Sequence, residues 1–131
     1  MLQIKKSVIE IIKAIAKEEL PNEACGYLAG KNGVISKCYR LTNTDQSPEH
    51  FSFDPNEQFD TLKDARTNGL EIIANFHSHP ASPARPSVED IRLAYDPNIL
   101  YGIVSLQHQD EVLKFFRIIK KEVNQVNYSV I

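Results

Sequence analysis

The chain has 131 residues, of which 42% are hydrophobic and 24% charged; this is enough apolar material for one globular domain over 1–131 and leaves no room for a second. Its formal net charge is −2 and its 15 lysines and arginines are scattered, so we expect no nucleic-acid partner. Charges interrupt the apolar N-terminus before a signal peptide or membrane span could form, and only Cys25 and Cys38 are present, so we expect a cytoplasmic, reduced protein without a membrane partner.

The first part of the chain predicts a helix followed by a strand hairpin. Apolar residues recur at helical spacing over about 6–19, which predicts an amphipathic helix that packs on a sheet. Small residues over 24–30, before a turn with two glycines, predict a strand, and 34–41 completes a hairpin with it. Residues 42–50 are polar and rich in turn formers, and they predict a surface loop in which His50 is solvated.

A second helix and a short apolar run follow this loop. Residues 51–53, Phe-Ser-Phe, alternate like a short strand. Asp54 at the N-cap and Pro55 at the first helical position predict a helix that runs to about residue 67. The apolar run 71–76 is too brief for a helix and predicts a buried strand.

The remaining elements are a stiff loop, a short helix and strands. Three prolines stiffen the loop 80–86, and a helix-like run extends from 87 to 94. Residues 99–106 predict a central strand and 112–118 its antiparallel partner. The tail 122–131 forms either one more strand or surface packing. This order of elements predicts an α/β or α+β sandwich with a mixed sheet covered by helices.

Two histidines follow the buried strand at a spacing that suits one metal ion. Side chains alternate faces along a strand, so His77 and His79 project the same way, whereas a helix would separate them by about 200°. Ser87 and Asp90 then lie one helical turn apart on one face. Two neutral imidazoles and one carboxylate form a common ligand set for catalytic zinc, which keeps its fourth position for water.

The Ser87-x-x-Asp90 pair also fits a purely structural role. In a capping box the hydroxyl binds the first amide groups of a helix and the acid reaches back, although Glu or Gln is usual at the last position. Taken alone, the pair is better explained as a cap. Two histidines at the end of a buried strand are less often structural, and together with the pair they favour a metal site.

The same residues carry a family resemblance. His77-x-His79, seven residues, then Ser87-x-x-Asp90, with Glu-Ala-Cys-Gly-Tyr-Leu-Ala-Gly upstream from Glu23, closely resembles the JAMM motif of the MPN-plus metallopeptidases. The likeness runs from Glu23 to about residue 104. It implies the α/β (α+β) fold of that family, an MPN/JAMM-like, cytidine-deaminase-like sandwich with a mixed sheet flanked by helices.

The resemblance assigns a role to each residue of the motif. His77, His79 and Asp90 would ligate one Zn²⁺ per chain. Ser87 would help to hold the oxyanion, and Glu23 would be the general acid/base that acts on the water at zinc. Without the resemblance, Glu23 would be interpreted as a solvated loop acid.

A rival mechanism would use Cys25 as a thiolate paired with His77 or His79. We do not favour it, because a buried strand is the ordinary position of a free cysteine. Nothing nearby in the sequence would lower the pKa of this thiol either.

The resemblance also implies a class of substrate. The family typically hydrolyses the amide bond after the C-terminal Gly-Gly of ubiquitin or a ubiquitin-like protein. This chain has no long insertions and is most similar to the small prokaryotic members that act on sulfur-carrier proteins. The reaction would trim a carrier, cleave an isopeptide conjugate or release an amino acid such as cysteine. We expect strand addition to hold the carrier tail near Phe51, Phe53 and 80–86, with Ser78 as a further substrate contact.

Two other functions remain open from the sequence. A non-catalytic MPN scaffold usually lacks the metal ligands, and all of them are present in this chain. A different zinc hydrolase such as a deaminase would carry His-x-Glu followed by Pro-Cys-x-x-Cys, and no Cys-x-x-Cys occurs. The sequence does not fix the oligomeric state, and a homodimer is compatible with it.

Overall fold

One mixed sheet of eight strands runs through the molecule in a computed structural model that describes residues 1–131. Its spatial order is β7-β6-β5-β4-β2-β3-β1-β8. The strands are β1 (Leu2–Ile4), β2 (Cys25–Lys31), β3 (Val34–Leu41), β4 (Glu71–His79), β5 (Leu100–Ser105), β6 (Val112–Ile119), β7 (Glu122–Val126) and β8 (Tyr128–Val130). The three helices are α1 (Lys6–Glu19), α2 (Pro55–Thr67) and α3 (Val88–Arg92).

Helix α1 covers one face of the sheet, as its periodicity predicts. Its apolar side chains pack into a cluster with residues from six strands, among them Leu28, Phe76 and Phe115. Burying each such Val or Ile side chain contributes about 1.5–3 kcal/mol. The buried residues of α1 are Val8, Ile12, Ile15 and Ala16.

Helices α2 and α3 lie over the opposite face of the sheet. Helix α2 begins as predicted: the Asp54 side chain accepts a hydrogen bond from the Asn56 N–H, and Pro55 occupies the first turn. Gln58 of α2 donates to the hydroxyl of Tyr27 on β2, at 2.7 Å. On this face, side chains of the central strands line a cavity.

The central strands set the register of the site. Strand β4 pairs with β2 antiparallel and with β5 parallel, so that Cys25, His77 and Ile103 lie side by side. Mixed pairing of this kind confirms the predicted mixed sheet flanked by helices. No helix combines the length and the hydrophobicity needed to cross a bilayer.

Several sequence-based boundaries need correction. Residues 51–53 do not form a strand; Phe53 makes one isolated bridge, to Asn43. Strand β4 continues through both histidines, and α3 ends at Arg92 rather than at 94. The tail forms two strands on opposite edges, because β7 pairs with β6 whereas β8 pairs with the unpredicted β1.

Candidate metal centre

Three side chains from two elements converge at one point. His77 and His79 project from the end of β4, and their Nε2 atoms lie 3.1 Å apart. Oδ2 of Asp90, on α3, lies 3.1 Å from each of these nitrogens. The structure therefore brings together all three ligands that the sequence predicts.

The geometry and chemistry of this cluster suit a small divalent metal. Tetrahedral coordination at about 2.0–2.1 Å requires ligand atoms about 3.3 Å apart, close to the observed separation. Both histidines are almost fully buried, at 2% and 4% exposed. The imidazole donors that face the carboxylate are therefore largely shielded from solvent. The His77–His79–Asp90 group could thus hold one ion with only small adjustments.

The surroundings of the two imidazoles fix their orientation. Nδ1 of His79 lies 2.8 Å from the Pro83 carbonyl oxygen, which only accepts, so in the neutral ring Nδ1 carries the proton and Nε2 has a lone pair for a metal. The ring of Phe51 stacks on the His77 ring with centroids 4.7 Å apart. Nδ1 of His77 is buried without a hydrogen-bond partner.

Asp90 combines the cap and the ligand position, which the sequence offered as alternatives. Ser87 Oγ accepts from the Asp90 N–H at 3.0 Å, and Asp90 Oδ2 accepts from the Ser87 N–H at 2.9 Å. The same Oδ2 faces both histidines. The capping box therefore holds the carboxylate in position, and Ser87 stays exposed at the edge of the cluster.

The electrostatics of the cluster keep Asp90 ionised. Burial raises the pKa of Asp90, but hydrogen bonds from His77 and His79 outweigh it and hold that pKa well below its usual range. Burial lowers the pKa of His79, but its bonds to Asp90 and to the Pro83 carbonyl outweigh burial and raise it. The site thus presents an ionised carboxylate that favours a positive charge between the two histidines.

Glu23 lies just before β2 with its carboxyl group buried beside the cluster. It is 3% exposed, and Oε1 has no hydrogen-bond partner. Burial raises the pKa of Glu23 to about 8, the nearby His79 lowers it in part, and Asp90 raises it further. Glu23 is therefore a buried acid with a free oxygen and a pKa near neutrality, which are the properties of a general acid/base.

Ser78 occupies a different position from the one predicted. It is fully buried, and its Oγ accepts from the Ala24 N–H at 2.7 Å. Its own N–H donates to the Ala24 carbonyl at 3.0 Å. The expected substrate contact does not match this position: a residue on β4 alternates with its neighbours, so Ser78 points away from His77 and His79. Its two hydrogen bonds to Ala24 join the segment that carries Glu23 to strand β4, which carries the two histidines.

A cavity of about 430 Å³ opens beside His77 and Asp90. This volume is typical of a small-molecule or peptide side-chain site. Phe51 and Phe53 form part of its wall, Pro86 is the one residue of the proline loop that lines it, and exposed His50 lies at its rim. The sequence pattern did not point to the strand residues that also line it, among them Tyr27, Asn75 and Tyr101.

Cys25 has none of the properties of a nucleophile. It is fully buried, and burial raises the pKa of its thiol to about 12. Its sulfur contacts the Leu41 carbonyl. The thiol therefore stays protonated at neutral pH, in agreement with its interpretation as a core residue.

The sequence profile of the family described as prokaryotic homologs of the JAB domain matches residues 5–119. The chain belongs to this family. Its fold and its assembled His-His-Asp group are those expected from the JAMM resemblance, and it is a hydrolase of the JAMM type. The scaffold and deaminase alternatives are set aside on this ground.

Three relatives illustrate the family. The CysO-cysteine peptidase of Mycobacterium tuberculosis is 30% identical over 135 residues, which cover 100% of this chain and 92% of that protein. A desampylase from Pyrococcus furiosus is 36% identical over 81 residues, or 62% of this chain and 56% of the relative. A protein from Desulfitobacterium hafniense with a known solution structure is 46% identical with a TM-score of 0.92, over 100% of this chain and 93% of that one.

Proposed function

We propose that this JAB-family hydrolase is a zinc-dependent peptidase that cuts the amide bond after the C-terminal Gly-Gly of a ubiquitin-like or sulfur-carrier protein. The observation that carries the proposal is the position of Glu23. A buried carboxyl group with a free oxygen and a pKa of about 8 lies beside three ligand atoms that face one another. Neither a structural cap nor a scaffold requires an acid in that position.

Each residue of the site has a part in amide hydrolysis. Zinc held by His77, His79 and Asp90 would lower the pKa of a bound water to around 7 and polarise the scissile carbonyl. Glu23 accepts the proton of the attacking water and delivers it to the leaving nitrogen, which would otherwise depart as an anion. Because Ser87 Oγ accepts from the Asp90 N–H, its own proton is available for the carbonyl oxygen as negative charge develops there.

The relatives and the cavity support a carrier substrate. One relative is named a CysO-cysteine peptidase and another a desampylase, names that describe release of a residue from a carrier and removal of a conjugate. The cavity lies directly beside two of the three ligands, so a residue next to the scissile bond can enter it. Glycine at the cleaved position suits a site whose histidines are buried, since it brings no side chain against them.

Metal analysis and cleavage of defined carriers test this function. We expect one zinc per chain and cleavage after the second glycine of a carrier fusion, with activity lost on chelation and restored by zinc. Three substrates distinguish the open possibilities: a linear extension, an isopeptide-linked lysine peptide and a C-terminal cysteine. A carrier that ends in Gly-Ala is the control. Sub-stoichiometric metal, or equal cleavage of the control, would contradict the proposal.

Phe53 offers a test of the substrate groove. Replacing Phe53 with Ala is expected to raise KM for the carrier about tenfold, which corresponds to about 1.4 kcal/mol, with kcat little changed. Phe53 is preferable to Phe51 because Phe51 also stacks on the ligand His77. Phe59→Ala is the matched control, since Phe59 lies on α2, is 66% exposed and does not line the cavity. An unchanged KM in Phe53→Ala would remove this residue from the groove.

A further inference from the structure

We infer that Asn43 is a positioning residue that holds the general acid/base in place through the backbone of Glu23. The inference rests on the proposed function, because it gives Glu23 the role assigned there. Asn43 lies in a polar run that the sequence marks only as a surface loop, yet it is 4% exposed. A buried amide in such a loop must have a defined set of partners.

The side chain of Asn43 makes four hydrogen bonds. Nδ2 donates to the Glu23 carbonyl at 3.0 Å and to the His50 carbonyl at 3.1 Å. Oδ1 accepts from the N–H groups of Asp45 at 3.0 Å and Ser52 at 3.3 Å. The donors therefore reach across to Glu23 and to the far side of the loop, whereas the acceptor closes the loop on itself. Only an amide of this length supplies both functions.

The same loop holds the other backbone group of Glu23. The Glu23 N–H donates to the Ser47 carbonyl at 2.8 Å, so the backbone N–H and C=O of this residue both bind residues of 43–52. On its other side, Ala24 is fixed by Ser78. Glu23 lies before β2 begins and has no strand partner of its own. Its backbone position therefore depends on these contacts, and Asn43 is the one side chain among them that acts directly on Glu23.

Asn43 also connects Glu23 to the ligand side of the site. The loop that it closes carries Phe51, whose ring stacks on His77. Its backbone forms the bridge to Phe53, which lines the cavity. One amide thus joins the acid/base, the aromatic ring on a metal ligand and the cavity wall. Misplacing a catalytic group by about 1 Å can lower a rate about 10²-fold, so the loss of this amide should be visible in turnover.

The substitution Asn43→Asp distinguishes the donor function of the amide from its acceptor function. Asp keeps the acceptor that closes the loop but loses the two donors, and it places an anion against two carbonyl oxygens. We expect kcat for a Gly-Gly carrier fusion to fall about 10²-fold, with KM changed less than about threefold and one zinc still bound. Asn43→Ala removes all four bonds and should be at least as impaired. Thr44→Val is the matched control: it removes the bond of Thr44 Oγ1 to the Ser52 carbonyl in the same loop without touching Glu23.

A double-mutant cycle with Glu23→Gln tests whether the loss of activity in Asn43→Asp arises through Glu23. If Asn43 acts through Glu23, Asn43→Asp should lower the residual activity of Glu23→Gln by less than about threefold. A full 10²-fold loss in that background, or an equal loss in Thr44→Val, would overturn the inference. Failure of the proposed function gives a different result, because the wild-type protein itself would then lack zinc-dependent cleavage. Thermal denaturation of the single variants accompanies the cycle and identifies any that do not fold.

Discussion

Replacing Glu23 with Gln is expected to lower kcat about 10³-fold while leaving one zinc bound per chain, because Gln keeps the shape of the side chain but cannot accept a proton. Glu23 is not part of the three-atom ligand cluster, so metal content should not change. Metal analysis and single-turnover cleavage of a carrier fusion measure the two effects separately. Glu10→Gln, an exposed acid on α1, is the control for loss of one carboxylate. Undiminished turnover in Glu23→Gln would remove Glu23 as the acid/base.

The same substitution should stabilise the metal-free protein at high pH. The pKa of Glu23 is about 8 in the folded chain against an ordinary 4.5, so the folded state binds an extra proton between these values. The contribution of Glu23 to the stability of the wild type is therefore full below about pH 4.5 and is lost progressively as pH rises through 8. Gln stays neutral throughout. Denaturation of metal-free proteins should show Glu23→Gln more stable than wild type at pH 9 and similar at pH 4.5. A difference that is independent of pH would contradict the burial argument.

Replacing Asp90 with Asn is expected to weaken zinc binding more than about 100-fold and to reduce cleavage to background. This exceeds the roughly 10–100-fold loss of affinity that is typical when a residue next to a metal ligand, rather than the ligand itself, is changed. The change removes the anion on which both histidines converge. Asn can still accept the Ser87 N–H, so the helix cap is largely kept. Metal titration with a competing chelator measures the affinity, and cleavage at fixed zinc measures the activity.

The substitution Ser87→Ala distinguishes the helix-capping role of this residue pair from the metal-binding role of Asp90. It breaks the half of the capping box in which Ser87 Oγ accepts from the Asp90 N–H, and should destabilise the protein by about 1 kcal/mol. The backbone N–H at position 87 is unchanged by the substitution and still donates to Asp90, so zinc content should remain at one per chain. If Ser87→Ala lost zinc as completely as Asp90→Asn, the cap rather than the carboxylate charge would account for the effect.

The local elements of this protein were predictable from short stretches of sequence. The helical period over α1, the Asp54-Pro55 start of α2 and the alternation of His77 and His79 each depend on contacts within a few residues. The capping box at Ser87 is equally local. The family resemblance then connected these pieces to Glu23, which no spacing rule would have selected.

Only the tertiary structure determined which residues face one another across neighbouring strands. The pairing of β2 with β4 brings Ala24 against Ser78, and this contact, formed by residues 54 positions apart, sets Glu23 beside the ligands. The same contact buries Ser78, which we expected to meet the substrate, in a hydrogen bond to Ala24. Asn43 gave no signal at all, because a polar residue among turn formers looks the same in sequence whether its amide faces water or four backbone groups. Strand order and burial are set by the whole core rather than by neighbouring residues. Local patterns could therefore predict that the three candidate ligands converge, whereas only the family resemblance pointed to Glu23 and only the structure showed the contacts that hold it.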